Sequence, residues 1–265
     1  MKPLQLSLTR TRARLAFPVL GIAMGIATLV AGMERTAFLG SAAGIAPVRD
    51  MAVPGSTIGA LTADLATITG AGSPFGAGAL DTDLEQARID KWVTRLTTSL
   101  RGDFQQSLQR MAKYEGMINA KLDARGMPRG LIYLALIESN FNPTAKSPVK
   151  AVGMWQFMSA TARQFGLSVG SRVDERKDPA KATDAALAYL DQLHGRFGSW
   201  YLAAAAYNSG QGTVSKALRT VTGKTTGTDA DFFRILPILP KETQDYVPKL
   251  IATARVGSDR AKYGL

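Results

Sequence analysis

The stretch Leu131 to Phe141, LIYLALIESNF, restricts the fold of this 265-residue chain more than any other. Leu131, Leu134, Ala135 and Glu138 recur at i, i+3, i+4 and i+7, the spacing of one face of a helix. Ile132, Tyr133, Leu136 and Ile137 make the remaining faces apolar as well, and a helix apolar all round is a buried one. Such an element needs other helices packed around it. It also takes the carboxylate of Glu138 into a core, where an unpaired charge costs several kcal/mol and either finds a partner or takes up a proton. Glu138 is the only acid between Asp123 and Asp174, an interval that contains Arg125, Arg129, Lys146, Lys150, Arg163 and Arg172.

Composition removes several kinds of chemistry. With no cysteine there are no disulfides, thiolate metal sites, cysteine nucleophiles or lipidated N-terminal cysteine. A single histidine, His194, leaves no histidine triad or multi-histidine metal site, and neither metal nor cofactor is called for. The formal charge of +11 is concentrated in residues 85–265, which hold 26 Lys+Arg against 16 Asp+Glu. A basic domain suits a polyanion, whether nucleic acid, anionic membrane or cell-wall polymer.

Taken in order, the chain divides in three. In residues 1–35, Arg10, Arg12 and Arg14 precede an uncharged run from Leu15 to Met33, closed by Glu34 and Arg35. This is a signal peptide or a signal anchor, with Ser41, Ala42 and Ala43 offering a cleavage site some distance on. Arginines on the cytoplasmic side place everything beyond outside the membrane. Residues 36–84, rich in Gly, Ala, Thr and Pro, read as a linker. Residues 85–265 carry helical spacing throughout and hardly any strand-like alternation, so the expected class is mainly α.

Within that domain an amphipathic stretch runs from Leu84 through Trp92 to Leu100, and a second from Phe104 to about Leu122. Pro128 suits the first turn of the Leu131 helix. Ser159 is placed to cap a short helix ending at Gly166, and Asp178-Pro179 to open a longer one. SWYLAAAAYNSG starts at Ser199 and stops at Gly210, and Thr213 to Val221 forms another short helix. LPKETQDYVPKLIATARVG supplies the last, interrupted at Pro248. Arg172, Asp174, Glu175 and Arg176 read as a solvated charged strip. Trp155, Trp200 and Tyr201 read as core, and His194 as a residue at a helix C-terminus.

Three polar stretches flank this framework: SNFNPTAKSPVKAVGMWQFM, AYNSGQGTV and PKETQDYVPK. With Glu138-Ser139 in LIYLALIESNFNP they resemble, in order and spacing, the SLT family of lytic murein transglycosylases, of goose-lysozyme-like fold, and within it the membrane-bound D type. The resemblance covers about residues 88–263. It implies a lysozyme-like helical domain whose central buried helix carries the catalytic acid/base, Glu138. It further implies that Ser147, Met154 and Gln156 line the cleft, that Tyr207 of an AYN pair faces Glu138 with Asn208 beside it, and that Tyr246 approaches from the closing helix, where Glu242 is structural. Where many relatives read GLMQ this chain reads Gly153-Met154-Trp155-Gln156. D-type relatives commonly continue into LysM modules, which are absent before Leu265.

The substrate so implied is the β-1,4 bond between N-acetylmuramic acid and N-acetylglucosamine in peptidoglycan strands. Most glycosidases use two carboxylates, whereas here one presents itself, and a 2-acetamido group can replace the missing nucleophile. Glu138 would act first as acid and then as base, giving a 1,6-anhydro product without water. Two other readings stay open: a hydrolytic muramidase, which needs a second carboxylate for water, and a non-catalytic basic module for glycan or nucleic acid. Export argues against nucleic acid as partner. The expected location is the periplasm, on the inner membrane if the first segment is uncleaved.

Overall fold

The computed structural model describes residues 83–265, so the export segment and most of the linker lie outside the described residues. Ten helices are described: α1 (Asp83–Thr97), α2 (Arg101–Met111), α3 (Glu115–Asp123), α4 (Ile132–Ser139), α5 (Ser159–Gln164), α6 (Pro179–Phe197), α7 (Trp200–Ser209), α8 (Gln211–Thr222), α9 (Asp229–Ile235) and α10 (Lys241–Ser258). Among the described residues there is no sheet, only isolated bridges such as Lys146 to Val152 and Val152 to Phe157. No described helix is long and apolar enough to cross a membrane.

The expected central helix is α4. Ile132, Tyr133, Leu134, Ala135, Leu136, Glu138 and Ser139 are all buried, enclosed by α2, α3 and α10. It is short because two successive residues, Asn140 and Phe141, have positive φ, at 54° and 58°. Their N–H groups return to the carbonyls of Leu136 and Ala135, closing the helix just after Glu138. Arg110 of α2 then donates through Nε to the Asn140 carbonyl at 2.7 Å, fixing this end.

Caps read from the sequence account for α6 and α7. Asp178 accepts from the N–H groups of Ala180 and Lys181 with Pro179 in the first turn, and Ser199 accepts from Leu202. Small residues let α7 sit between α6, α8, α9 and α10 with Leu202 to Ala206 wholly buried. Trp155 and Tyr201 are core, as expected, while Trp200 is half-buried under a stacked His194 at 3.9 Å.

Four expectations need correction. Ser159 lies inside α5 and makes no cap. The stretch from Phe104 to Leu122 is broken into α2 and α3. Pro248 does not interrupt α10, which runs unbroken to Ser258. A proline there removes one hydrogen bond, and the cost is offset because Tyr246, Val247, Pro248, Leu250 and Ile251 are all buried. Finally, the charged strip is not solvated throughout: Arg176 is buried, pairs with Asp174 and donates to the carbonyls of Lys150 and Phe157.

Candidate active site

Glu138 sits at the C-terminal end of α4 with 9% of its surface exposed. Tyr246 of α10 donates its hydroxyl to Glu138 Oε1 at 2.6 Å. Burial pushes the Glu138 carboxyl up to about 7; the Tyr246 hydrogen bond and the ammonium of Lys249 pull it down, and Glu242 pushes it up. Burial also holds the Tyr246 and Tyr207 hydroxyls well above the usual phenol range, with the charge of Glu138 adding to both. Both tyrosines therefore keep their protons and act as donors.

The strip from Ala145 to Phe157 forms one wall. Ser139, next to Glu138, donates to the Met154 carbonyl at 2.8 Å, which fastens the strip to α4. Ser147 closes a turn by accepting from the Ala151 N–H at 3.0 Å. Gln156 adopts positive φ, donates to the Gly153 carbonyl at 2.7 Å, and leaves its buried Oε1 without a partner. Gly153 has a φ of 89°, and a Cβ there would lie 1.8 Å from the Arg176 carbonyl oxygen. The backbones of the strip and of the Arg176 turn touch only because this residue is glycine.

On the opposite side, Tyr207 donates to the Trp155 carbonyl at 2.8 Å, so it reaches the strip while remaining in electrostatic contact with Glu138. Asn208 is tied into a junction between α7 and α10: Thr243 donates to its Oδ1 at 2.8 Å, and its Nδ2 donates to Glu242 at 3.3 Å. Of the residues expected at the site, Glu138, Tyr207, Asn208 and Tyr246 thus gather where α4, α7, α10 and the strip meet, with Gln156 and Ser147 in the strip itself. Met154 is different. With no exposed surface it packs inside the core and offers a ligand nothing.

One residue was missed. Lys249 follows Tyr246 by three positions on α10, is half-buried, and sits with Nζ 5.5 Å from the centre of the Trp92 ring of α1. Burial lowers the pKa of its ammonium, and Glu138 raises it. The spacing of Glu242, Tyr246 and Lys249, i, i+4 and i+7, already places the three on one face.

Comparison with known proteins gives this geometry a setting. The Transglycosylase SLT domain matches residues 116–229. That stretch is similar to an SLT domain. Over 157 residues the chain is 40% identical to the membrane-bound lytic murein transglycosylase D of Escherichia coli (strain K12), covering 59% of this chain and 34% of that protein. The soluble lytic murein transglycosylase of the same strain is 33% identical over 125 residues, 45% of this chain and 19% of the other. The chain therefore spans about a third or less of these relatives' length. Among solved structures, the complex of the 70-kDa soluble lytic transglycosylase with bulgecin A superposes with a TM-score of 0.50 at 23% identity, over 68% of this chain and 30% of that one. That likeness is one of fold, and the fold is the expected mainly α, lysozyme-like one. The SLT match includes Glu138, the strip, Tyr207 and Asn208. It ends before α10, and α1 precedes it, so Tyr246, Lys249 and Trp92 are brought to the matched region by flanking helices.

Proposed function

We propose that this chain is a peptidoglycan lytic transglycosylase in which Glu138 is the sole acid and base. The observation that carries the reading is Glu138 itself: a carboxyl group in an apolar site, raised to about 7 and held by Tyr246 at 2.6 Å. Such a group is protonated for part of the time near neutrality, which is what a general acid there requires.

With Tyr246 occupying Oε1, Oε2 is the oxygen that gives up the proton. It goes to the leaving glycosidic oxygen as the bond from that oxygen to C1 of N-acetylmuramic acid breaks. The acetamido carbonyl oxygen of the same sugar bonds to C1 and takes up the positive charge. The Glu138 carboxylate next removes the proton from the O6 hydroxyl, O6 bonds to C1, and the acetamido oxygen departs. A 1,6-anhydro end results and Glu138 is protonated again. Gln156, with its unpartnered buried acceptor, and Ser147 are assigned to sugar hydroxyls. Tyr207 positions the strip through Trp155.

A muramidase on the same framework would need a second carboxylate to activate water. The acid that acts on Glu138 is Glu242, and it accepts from Asn208 in the junction between α7 and α10. That engagement favours the lyase. In the cell, residues 1–35 export the chain as signal peptide or anchor, residues 36–84 give reach, and residues 85–265 act on wall strands in the periplasm. Mass analysis of fragments from purified peptidoglycan tests the reading. Anhydro ends, absent with Glu138→Gln, are expected; reducing muramic acid ends alone would overturn it.

A further inference from the structure

Lys249 has a setting that packing does not account for. The residue is half-buried, and among the described residues no carboxylate lies within ion-pairing distance of its ammonium. Its neighbours are the Trp92 ring, 5.5 Å from Nζ, and Arg95, whose guanidinium lies 4.5 Å from the centre of the same ring. A half-buried cation beside another cation is an expense unless negative charge appears nearby. The indole face supplies part of the compensation. The anion that acts on Lys249 most is Glu138, ahead of Glu242. Tyr246 stands one turn earlier on the same face of α10, with its hydroxyl on Glu138.

We propose that Lys249, steadied by Trp92, is a positioning residue that supplies the counter-charge for the Glu138 carboxylate present between the two proton transfers. The inference rests on the acid/base reading of Glu138. During that interval the carboxylate must persist in an apolar site beside Glu242, whose charge opposes it. A fixed ammonium in electrostatic range offsets both penalties without forming a direct pair that would hold Glu138 ionised throughout. The groups facing Glu138 are then Tyr246, Lys249 and Glu242 from α10 and Tyr207 from α7, with Arg95 of α1 behind Lys249. Helices α1 and α10 thereby contribute to the chemistry of the site and not only to the stability of the fold.

The test follows the carboxyl directly. In the full chain labelled with carbon-13 at glutamate side-chain carboxyls, the Glu138 signal is assigned by its loss in Glu138→Gln and titrated by NMR. Lys249→Met is expected to raise its midpoint by roughly one pH unit, as removal of a cation at an effective dielectric near 20 requires, and Lys249→Arg to leave it near the wild-type value. The pH profile of glycan cleavage should move in step. An unchanged midpoint in Lys249→Met, with helical circular dichroism intact, would overturn the proposal. If the Met variant loses helicity, Lys249→Gln takes its place under the same criterion. Retention of cleavage by Glu138→Gln would instead overturn the acid/base reading while leaving the titration result standing, so the two failures are distinguishable.

Discussion

Glu138 carries a penalty of burial that grows with pH. Its folded-state pKa lies near 7 against an ordinary 4.5, so the folded chain binds a proton more tightly than the unfolded one. The group therefore destabilises the fold progressively as pH rises from about 4.5 to about 7, and fully above that. Glu138→Gln keeps the shape and an acceptor for Tyr246 while removing the charge. It is expected to raise stability at pH 8 by on the order of 2–3 kcal/mol and to do little at pH 4, read by thermal unfolding at the two values. Tyr246→Phe removes the donor at 2.6 Å, a contact that favours the ionised carboxyl. Its kcat on glycan strands should fall roughly 100-fold, as for other lost donors to a developing charge, with the fold retained by circular dichroism. Glu138 was legible in the sequence because a carboxylate in an otherwise apolar helix stands out against its neighbours. Lys249 was not, because a lysine on an amphipathic helix is ordinarily solvated, and only the packing of α1 shows what covers it. Asp174 and Arg176 misled for the same reason. Charge type is written in the sequence, but burial is decided by which backbone comes to rest alongside.

Helices with strong local signals were legible too. Asp178-Pro179 and Ser199 cap α6 and α7 with bonds formed within a few residues of each other. The strip from Ala145 to Phe157 could be read only as a polar segment, since its shape depends on partners distant in the chain. Ser139 holds it at Met154, Tyr207 at Trp155, and Arg176 at Phe157. Gly153 is where this convergence is tightest. Alanine there would meet the Arg176 carbonyl oxygen at 1.8 Å and also adopt an unfavourable positive φ. Since backbone opposes backbone, neither side yields as a flexible side chain would. Gly153→Ala should cost more than about 2 kcal/mol of stability, through strain and overpacking together. It should also depress cleavage beyond its effect on folding, because Gln156 and Tyr207 take their positions from this strip. Urea unfolding paired with kcat at a temperature where the variant is folded separates the two contributions.

At the scale of the molecule, the proposed site depends on α10 being pressed against α4. Two contacts hold α10 in place from its opposite ends, one against α7 and one against α4. Near its start Thr243 and Glu242 engage Asn208, and near its end Gly257 lies against the ring of Tyr133 on α4. A Cβ at position 257 would come within 2.3 Å of the ring. Tyr133 cannot retreat easily, since it is itself buried, with a hydroxyl pushed up to about 12 by that burial. Gly257→Ala is therefore expected to lever the end of α10 away from α4, at a cost of about 1–3 kcal/mol. Because Tyr246 and Lys249 ride on the same helix, their hold on Glu138 should loosen as well. The Glu138 midpoint in the carbon-13 titration should shift upward although no group touching it has changed. The control is Gly116→Ala in α3, where a Cβ meets nothing within 4 Å and a helical glycine is replaced at no steric cost. That variant should be more stable by about 0.5–1 kcal/mol and leave the titration alone. Equal midpoints for the two variants would show that α10 can tilt at one end without disturbing the carboxyl at the other. The helix would then flex between Lys249 and Gly257, and not act as one lever.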